Sequence, residues 1–247
     1  MRLALILLLM FAQITRSEEL SVAAAADLIY CLPQINAAFQ KTNPSVDIKV
    51  SYGSSGNFFE EIRSGAPFDV FLSADMGYPK SLAKDGFAEA PVKYAEGRLV
   101  LWTMNGALDL SRGLAALRDA AVHRVALANP DHAPYGRAAK AALTHEHLWE
   151  ELAPKFVFGE SIAQTAQFVQ TDNADAGLVA MSLVAGQPAA RAGHYFEIPA
   201  DDYPALEPAA AVTKSAEEKP LARAYVEFLN SAEAQKIMAE FGFRLPK

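Results

Sequence analysis

The sequence predicts an α/β protein built as two lobes, and three observations support this class. Strand-like apolar runs alternate with helical patterns from Leu20 onward, the alternation restarts after Gly97, and one more strand and two helices follow Pro204. Strands that alternate with helices are typical of a parallel, right-handed α/β sheet. A chain that begins one lobe, completes a second and then returns joins the lobes by two crossings, with a ligand cleft between them.

The first series has expected strands at residues 20–24, 46–52 and 70–73 and expected helices at 28–40, 58–64 and 79–85. The second series has expected strands at 97–102, 124–128, 156–158 and 176–179 and helices at 136–143 and 163–170. The returning chain has a strand at 209–212 and helices at 222–229 and 232–241. Glycine and proline positions separate these elements, as expected for turns. We therefore expect lobe 1 at residues 18–97, lobe 2 at 98–205 and a return to lobe 1 at 206–247.

Residues 1–17 are expected to form a secretory signal peptide. Apolar residues 3–12 form a stretch too short to span a bilayer, and Thr15 and Ser17 predict cleavage after Ser17. An uncleaved anchor is the alternative. Without Arg2 and Arg16, 20 of the 22 basic residues remain against 29 acidic ones, a net charge of −9. Nucleic acid and anionic lipid are therefore disfavoured as partners, and we expect a soluble exported monomer.

Several residue patterns argue against an enzyme or a metal site. Cys31 is the only cysteine, so no internal disulfide forms, and its helical context indicates a small packed side chain. His145 and His147 are close in sequence but diverge on a helix. Asp69 and Asp75 flank a strand, where they are typical of strand-end or inter-lobe groups rather than a catalytic pair. No nucleophile elbow and no phosphate-binding loop with a lysine is present.

Four junctions between a strand and a helix carry small or polar residues, and these predict an anion site. The clearest is residues 52–58, Tyr-Gly-Ser-Ser-Gly-Asn-Phe, and the others are at 23–28, 134–137 and 159–162. Each junction offers unpaired backbone N–H groups and the positive end of a helix dipole. Four such junctions around one cleft would surround a small oxyanion with neutral donors.

Individual residues at these junctions have two interpretations each. Ser54 and Ser55 either cap the following helix or contact a ligand. Tyr135 either directs its N–H or phenol into the cleft or covers apolar surface with its hydroxyl in water. Ile162 would contribute only its N–H, because its side chain is typical of a core residue.

With these motifs assembled, the chain resembles, nearly end to end, the periplasmic molybdate-binding proteins of ABC importers. The resemblance rests on the segments at residues 23–28, 53–56, 64–75, 129–136 and 174–177, in that order and spacing. It implies a type II periplasmic binding fold that holds molybdate or tungstate between its lobes by neutral hydrogen bonds. It also implies a periplasmic protein without cofactor or catalytic activity, which delivers the anion to a permease and its ATPase.

The resemblance also implies the ligand contacts. These are Asp27, Ser55, Tyr135 and Ile162, with Ser54 as a second hydroxyl in the second loop. They would hold molybdenum or tungsten only through the oxygens of the anion. Many family members have Ser or Asn in place of Asp27, and many have a tyrosine hydroxyl where this chain has Ala180. We hypothesise that Tyr135 supplies the missing hydroxyl.

Asp27 raises an electrostatic difficulty in an anion site. Two unit negative charges about 4 Å apart repel by about 4 kcal/mol at an effective dielectric constant of about 20, and a dianion is repelled more. One hypothesis is that Asp27 turns back to cap its own helix and offers only its N–H to the anion. The alternative is a protonated Asp27 that donates to the anion.

Three other functions remain open from the sequence. One is a receptor for sulfate or another oxyanion, and cavity size would discriminate between such an anion and molybdate. A receptor for ferric iron is less favoured, because Tyr195 and Tyr203 are separated in sequence. The second is a two-lobed enzyme with Ser54 or Ser55 as nucleophile, for which the sequence identifies no general base. The third is a sensor that binds the anion without a permease.

Overall fold

The structure is a computed structural model that describes residues 18–188, 192–216 and 220–246. The expected signal peptide, residues 1–17, lies outside the described residues. The strands are β1 Glu18–Ala25, β2 Val46–Gly53, β3 Val70–Ser73, β4 Val92–Lys93, β5 Leu99–Thr103, β6 Val125–Ala128, β7 Phe156–Gly159, β8 Ala176–Ala180, β9 His194–Glu197 and β10 Ala209–Val212. The helices are α1 Leu32–Thr42, α2 Ser55–Arg63, α3 Gly77–Lys84, α4 Pro134–His145, α5 Trp149–Leu152, α6 Ile162–Gln170, α7 Met181–Ala185, α8 Pro220–Phe228 and α9 Ala232–Glu240.

The first sheet has the strand order β2-β1-β3-β10-β4. Strand β1 lies parallel to both β2 and β3, so Ala24 is paired with Tyr52 on one side and Leu72 on the other. Strands β10 and β4 complete the sheet in antiparallel pairings. Three strands therefore end at one edge of the sheet, close to one another.

The second sheet has the strand order β7-β6-β8-β5-β9. Strand β6 is parallel to β7 and β8, while β5 is antiparallel to β8 and β9. Trp102 and Leu101 of β5 are fully buried in the core of this sheet. The carboxyl ends of β6 and β7 lead into the loops before α4 and α6, which face the first sheet.

The α/β class predicted from the sequence is confirmed, and each lobe has a mixed sheet in which parallel strands are joined by antiparallel ones. Strands β5 and β10 run antiparallel to their neighbours, because the chain enters each of them after crossing from the other sheet. Strands β4 and β9 were missed. β4 has only two residues, and β9 is a largely exposed four-residue edge strand, so neither gives a strong apolar signal.

The first helix begins later than the sequence pattern predicts. A 3-10 turn covers Ala26–Leu28, and α1 starts only at Leu32, with Pro33 in its first turn. Proline is favoured there because its missing N–H has no partner in a helix start. Cys31 precedes α1, and it is buried and free, which confirms the expected packed thiol.

The chain passes between the two sheets twice. The first crossing lies between β4 and β5 and the second between β9 and β10. The two crossing segments contact each other, because Gly97 N–H donates to Leu206 O over 2.9 Å. Glu96 of the first crossing also forms an isolated antiparallel β-bridge with Arg244, which follows α9. The lobe boundaries assigned near these residues stay predictions. No helix among the described residues is long and apolar enough to cross a membrane.

Candidate anion-binding site

A small cavity lies where the two sheets face each other. The segments after β1, β2 and β3 supply one wall, and the starts of α4 and α6 supply the other. Its lining includes all five residues that the sequence analysis selected, namely Asp27, Ser54, Ser55, Tyr135 and Ile162. The remaining lining residues are Ala25, Ala26, Gly53, Ala74, Ala133 and Pro134. The fold thus brings the selected residues together, and their role as ligand contacts stays a prediction.

Asp27 is the one acidic residue in this lining. Its side chain is 1% exposed, and neither carboxyl oxygen has a hydrogen-bond partner among the described residues. The 3-10 turn that contains it has no side-chain cap, so the hypothesis that Asp27 caps its own helix is wrong. Burial raises the pKa of Asp27 from its ordinary value of 3.8 to about 7, and the nearby Tyr135 hydroxyl opposes this rise only in part. The Tyr135 hydroxyl lowers the pKa of the carboxyl as a hydrogen-bonding neighbour, although the pair does not have the geometry of a formed hydrogen bond.

Tyr135 lies in the first turn of α4 and is 1% exposed, so it is not a surface tyrosine. Its pKa is raised well above the ordinary value, first by burial and then by the charge of Asp27. A Cβ atom added to Gly97 would lie 2.6 Å from the Tyr135 hydroxyl oxygen, so the hydroxyl occupies space that only a glycine leaves. Ala180 ends β8 and is fully buried.

The two serines at the start of α2 differ in what their hydroxyls contact. The Ser55 hydroxyl oxygen accepts the Ala74 N–H over 3.0 Å, which leaves its own hydrogen available to a ligand. The Ser54 hydroxyl donates to His132 O over 2.6 Å, and His132 belongs to the second lobe. Ser54 stands at the N-cap position without a side-chain cap, so the capping interpretation is wrong for it.

Ile162 is the first residue of α6. Ser161 precedes it as N-cap, and the Ser161 hydroxyl oxygen accepts the Gln164 N–H over 3.2 Å. The Ile162 N–H has no partner within the helix, as is general for a first helical residue, and it lies at the positive end of the helix dipole. Its side chain is buried in the core of the second sheet, as the sequence predicts.

Hydrogen bonds across the cleft hold the two lobes together over the cavity. Gly56 N–H donates to His132 O over 2.9 Å, beside the bond from Ser54. On the other side, the Ser182 hydroxyl of α7 donates to the backbone oxygen of Asp27 over 2.7 Å. The structure is therefore in a closed conformation.

The two aspartates around β3 have structural partners. Asp75 forms an ion pair with Arg137 of α4, and Arg137 also donates to the Tyr78 hydroxyl over 2.9 Å. The Asp69 carboxylate accepts the Ser21 N–H over 2.9 Å at the start of the sheet. The sequence analysis left the strand-end and inter-lobe roles open for both residues, and the structure places Asp69 in the first and Asp75 in the second.

Sequence reasoning missed the role of His132. Its Nδ1 lies 2.9 Å from the Ser54 hydroxyl oxygen, and its Nε2 lies 3.3 Å from a carboxylate oxygen of Glu160. This row of serine, histidine and glutamate is reminiscent of a catalytic triad. The single hydrogen of the Ser54 hydroxyl goes to the backbone oxygen of His132, however, so the imidazole is not placed to remove it. Ser54 of the first lobe contacts His132 of the second, so these side chains link the two lobes.

Within the described residues, one cluster has the geometry for a metal ion. Ligand atoms of His145, Glu146 and Asp202 lie within 4.8 Å of one another. None of the three lines the cavity, and exposed acidic groups are commonly this close without a metal.

The fold and the cavity define a two-lobed binding protein for a small solute. The family model of bacterial extracellular solute-binding proteins matches residues 20–244, and the chain belongs to this family. The molybdate-binding protein ModA of Rhodobacter capsulatus is 36% identical over 243 residues, 97% of this chain and 94% of that protein. ModA of Azotobacter vinelandii is 35% identical over 93% of this chain and 91% of its own length. The solved structure of the periplasmic molybdate-binding protein of Azotobacter vinelandii has a TM-score of 0.86 and 32% identity, and the match covers 92% of this chain and all of that one.

Proposed function

We propose that this protein captures molybdate, and also tungstate, between its two lobes. The observation that carries the proposal is a closed cavity with helix starts and hydroxyl groups in its wall, in a chain similar over nearly its whole length to molybdate-binding proteins. The lining contains no lysine and no arginine. A tetrahedral oxyanion is then held by neutral donors, which satisfy its oxygens without a counter-charge.

The proposed contacts come from both lobes. Ser55 donates its hydroxyl hydrogen, which the bond from Ala74 leaves free. Ile162 donates its backbone N–H, and Tyr135 donates its phenol in place of the tyrosine that Ala180 replaces. Asp27 approaches the same oxygens from the first lobe. The metal atom contacts none of these residues directly.

Ser54 has a different role in this proposal. Its hydroxyl already donates across the cleft to His132 O, so we assign it to lobe closure rather than to the anion. Closure on the anion stabilises one conformation of the two lobes, and that conformation is the one a membrane permease recognises.

Cellular location and partners follow from the same proposal. Residues 1–17 direct export and are removed, and the remaining chain is a periplasmic monomer. It delivers the anion to the permease of an ABC importer, whose ATPase drives transport. The protein itself catalyses no reaction and needs no cofactor.

A sulfate receptor is the second candidate. Sulfate and molybdate have the same charge and number of oxygens, but sulfate is smaller. A smaller ion leaves donors of a closed, dry cavity without partners, and this costs binding free energy. Size is therefore the property that separates the two candidates.

Isothermal titration of residues 18–247 with molybdate, tungstate and sulfate in parallel tests the proposal. We expect tight binding of molybdate and tungstate and none of sulfate. Preference for sulfate would replace the proposal by the second candidate, and absence of binding for all three would refute both.

The variant Tyr135→Phe tests the assignment of the phenol. Loss of one hydrogen bond to a charged ligand is expected to weaken molybdate binding about tenfold or more. Tyr195→Phe is the matched control, because Tyr195 is 47% exposed and lies outside the cavity. Equal affinities of the two variants would remove Tyr135 from the set of contacts.

A further inference from the structure

Asp27 combines three properties that do not fit an ordinary buried aspartate. It is 1% exposed, both of its carboxyl oxygens lack a hydrogen-bond partner within the described part of the chain, and it lines the cavity in which the anion is proposed to bind. Buried polar groups in native proteins are almost always paired, so an unpaired carboxyl in a ligand cavity indicates a partner that binds there.

The groups around Asp27 do not compensate a negative charge. Tyr135 approaches from α4, Tyr94 from the segment before β5 and Cys31 from the segment before α1. All three have a raised pKa, so they are neutral near pH 7. Strand β2 contributes Tyr52, whose pKa is raised to about 12, and α6 and α7 have no titratable side chain. No cation is among the groups that shift the pKa of Asp27.

An ionised Asp27 would therefore face a dianion in a buried cavity without a counter-charge. Repulsion between like charges grows as the effective dielectric constant falls, so closure over both charges is strongly disfavoured. The carboxyl does not cap its own turn in this structure, because neither oxygen has a hydrogen-bond partner among the described residues.

We propose that Asp27 enters the closed complex as a neutral carboxylic acid and donates its O–H to an oxygen of the anion. This inference rests on the proposed function. In the open form, water reaches the carboxyl, which is ionised near neutral pH. Closure then takes up one proton from solvent for each anion captured, and the proton is bound at a carboxyl oxygen of Asp27. No covalent bond to the anion forms or breaks.

This role makes Asp27 a determinant of specificity. A neutral acid that donates suits an anion whose oxygens are all acceptors, such as molybdate. An ionised carboxylate would instead accept a hydrogen, and it would suit an anion that carries its own proton, such as hydrogen phosphate. The protonation state of this one side chain therefore separates two classes of tetrahedral oxyanion.

Proton uptake can be counted by isothermal titration of residues 18–247 with molybdate at pH 7, in two buffers with different ionisation enthalpies. We expect about one proton taken up per anion. We also expect the affinity to fall about tenfold per pH unit between pH 6 and pH 8, because the dianion raises the pKa of Asp27 further in the complex.

The variant Asp27→Asn isolates this effect. It keeps a donor of similar shape, so it should bind molybdate with no proton uptake and with an affinity that changes little from pH 6 to pH 8. His132 contacts Ser54 across the cleft, and it is present in both proteins. The difference between them therefore reports Asp27 alone. Asp85→Asn, an exposed change of the same charge, should behave as the unmodified protein.

Two results would overturn the inference while the proposed function survives. One is tight molybdate binding by the unmodified protein with no proton uptake. The other is an equal pH dependence in Asp27→Asn. Binding of phosphate in preference to molybdate would show that Asp27 accepts a hydrogen bond, and it would overturn both the inference about Asp27 and the proposed function. Absence of molybdate binding by both proteins at pH 6 would refute the proposed function itself.

Discussion

The two ends of the first sheet hold two buried aspartates that have opposite relations to their surroundings. Asp69 lies just before β3 and is 2% exposed, and its carboxylate accepts the Ser21 N–H over 2.9 Å. Asp27 lies just after β1 and is 1% exposed, and neither of its oxygens has a partner. The two side chains are almost equally buried, so they differ in the hydrogen bonding of their carboxyl groups and not in burial.

This difference distinguishes the end of the first sheet whose polar groups stabilise the fold from the end whose polar groups face the ligand cavity. At the Asp69 end, the polar group is satisfied by the backbone of a neighbouring strand. At the Asp27 end, the fold leaves polar groups unsatisfied and places the second lobe over them. An unsatisfied buried group costs free energy in the protein alone, so its presence is consistent with a ligand that satisfies it.

The largest expected effect concerns the contact between the lobes at the cavity end. A Cβ atom on Gly56 would lie 2.5 Å from His132 O and 2.6 Å from the Tyr78 hydroxyl oxygen. Gly56→Ala therefore blocks closure, and we expect molybdate affinity to fall about 100-fold or more, because 1.4 kcal/mol corresponds to a factor of ten. Isothermal titration measures the loss.

Gly77→Ala is the matched control for this prediction. Gly77, like Gly56, lies in the first turn of a helix of the first lobe, but the nearest atom to an added Cβ would lie 3.8 Å away. Its affinity and thermal stability should stay close to those of the unmodified protein. Equal affinities of the two alanine variants would show that the anion binds without the closed lobe contact.

The second prediction tests the end of the first sheet at which Asp69 lies. Asp69→Ala leaves the Ser21 N–H without its acceptor in a half-buried position, so the free energy of unfolding should fall by about 2 kcal/mol. Urea unfolding measures it, and molybdate affinity should not change. Asp69→Asn keeps an acceptor and should recover part of the loss. A weakened affinity in Asp69→Ala, at equal stability, would mean that this end of the sheet also acts on the ligand.

The strand and helix pattern predicted the α/β class and four junctions around one cleft, and the resemblance to molybdate-binding proteins implied Asp27, Ser55, Tyr135 and Ile162 at those junctions. Local patterns locate the junctions, because glycine, serine and helix-start residues mark them. The pattern did not locate the start of α1, because Leu28 and Leu32 both fit a helical apolar face while the chain between them forms a turn.

Contacts between the lobes lay beyond the sequence pattern. His132 was part of a recognised motif, yet nothing local indicates that its backbone oxygen accepts from Ser54 and Gly56, 78 and 76 positions earlier in the chain. The sequence likewise did not determine the protonation state of Asp27. Its pKa depends on burial by residues from several elements, which only the folded structure specifies.

The third prediction concerns the pH dependence of closure in the ligand-free protein. The closed form holds the proton of Asp27 more tightly than the open form, because burial raises its pKa from 3.8 to about 7. Between pH 3.8 and about pH 7, closure of the lobes is therefore coupled to the uptake of one proton. Each unit of rising pH in this range disfavours the closed form by about 1.4 kcal/mol, and the effect levels off above about pH 7. Small-angle scattering should show a larger radius of gyration at pH 8 than at pH 5.5. Asp27→Asn should show no such difference, and a difference of the same size in that variant would assign the titration to another group.

The smallest expected effect is that of Ser54→Ala. The hydroxyl of Ser54 donates to His132 O, but this oxygen also accepts the Gly56 N–H over 2.9 Å and lies 3.4 Å from the Tyr78 hydroxyl oxygen. Removing one of several donors leaves the oxygen bonded, so the closed form should lose only about 1 kcal/mol, which corresponds to about fivefold weaker molybdate binding. Isothermal titration measures this, with Ser51→Ala on the exposed face of β2 as the matched control. A loss as large as that in Gly56→Ala would place the Ser54 hydroxyl on the anion itself, and the division of roles between the two neighbouring serines would then be wrong.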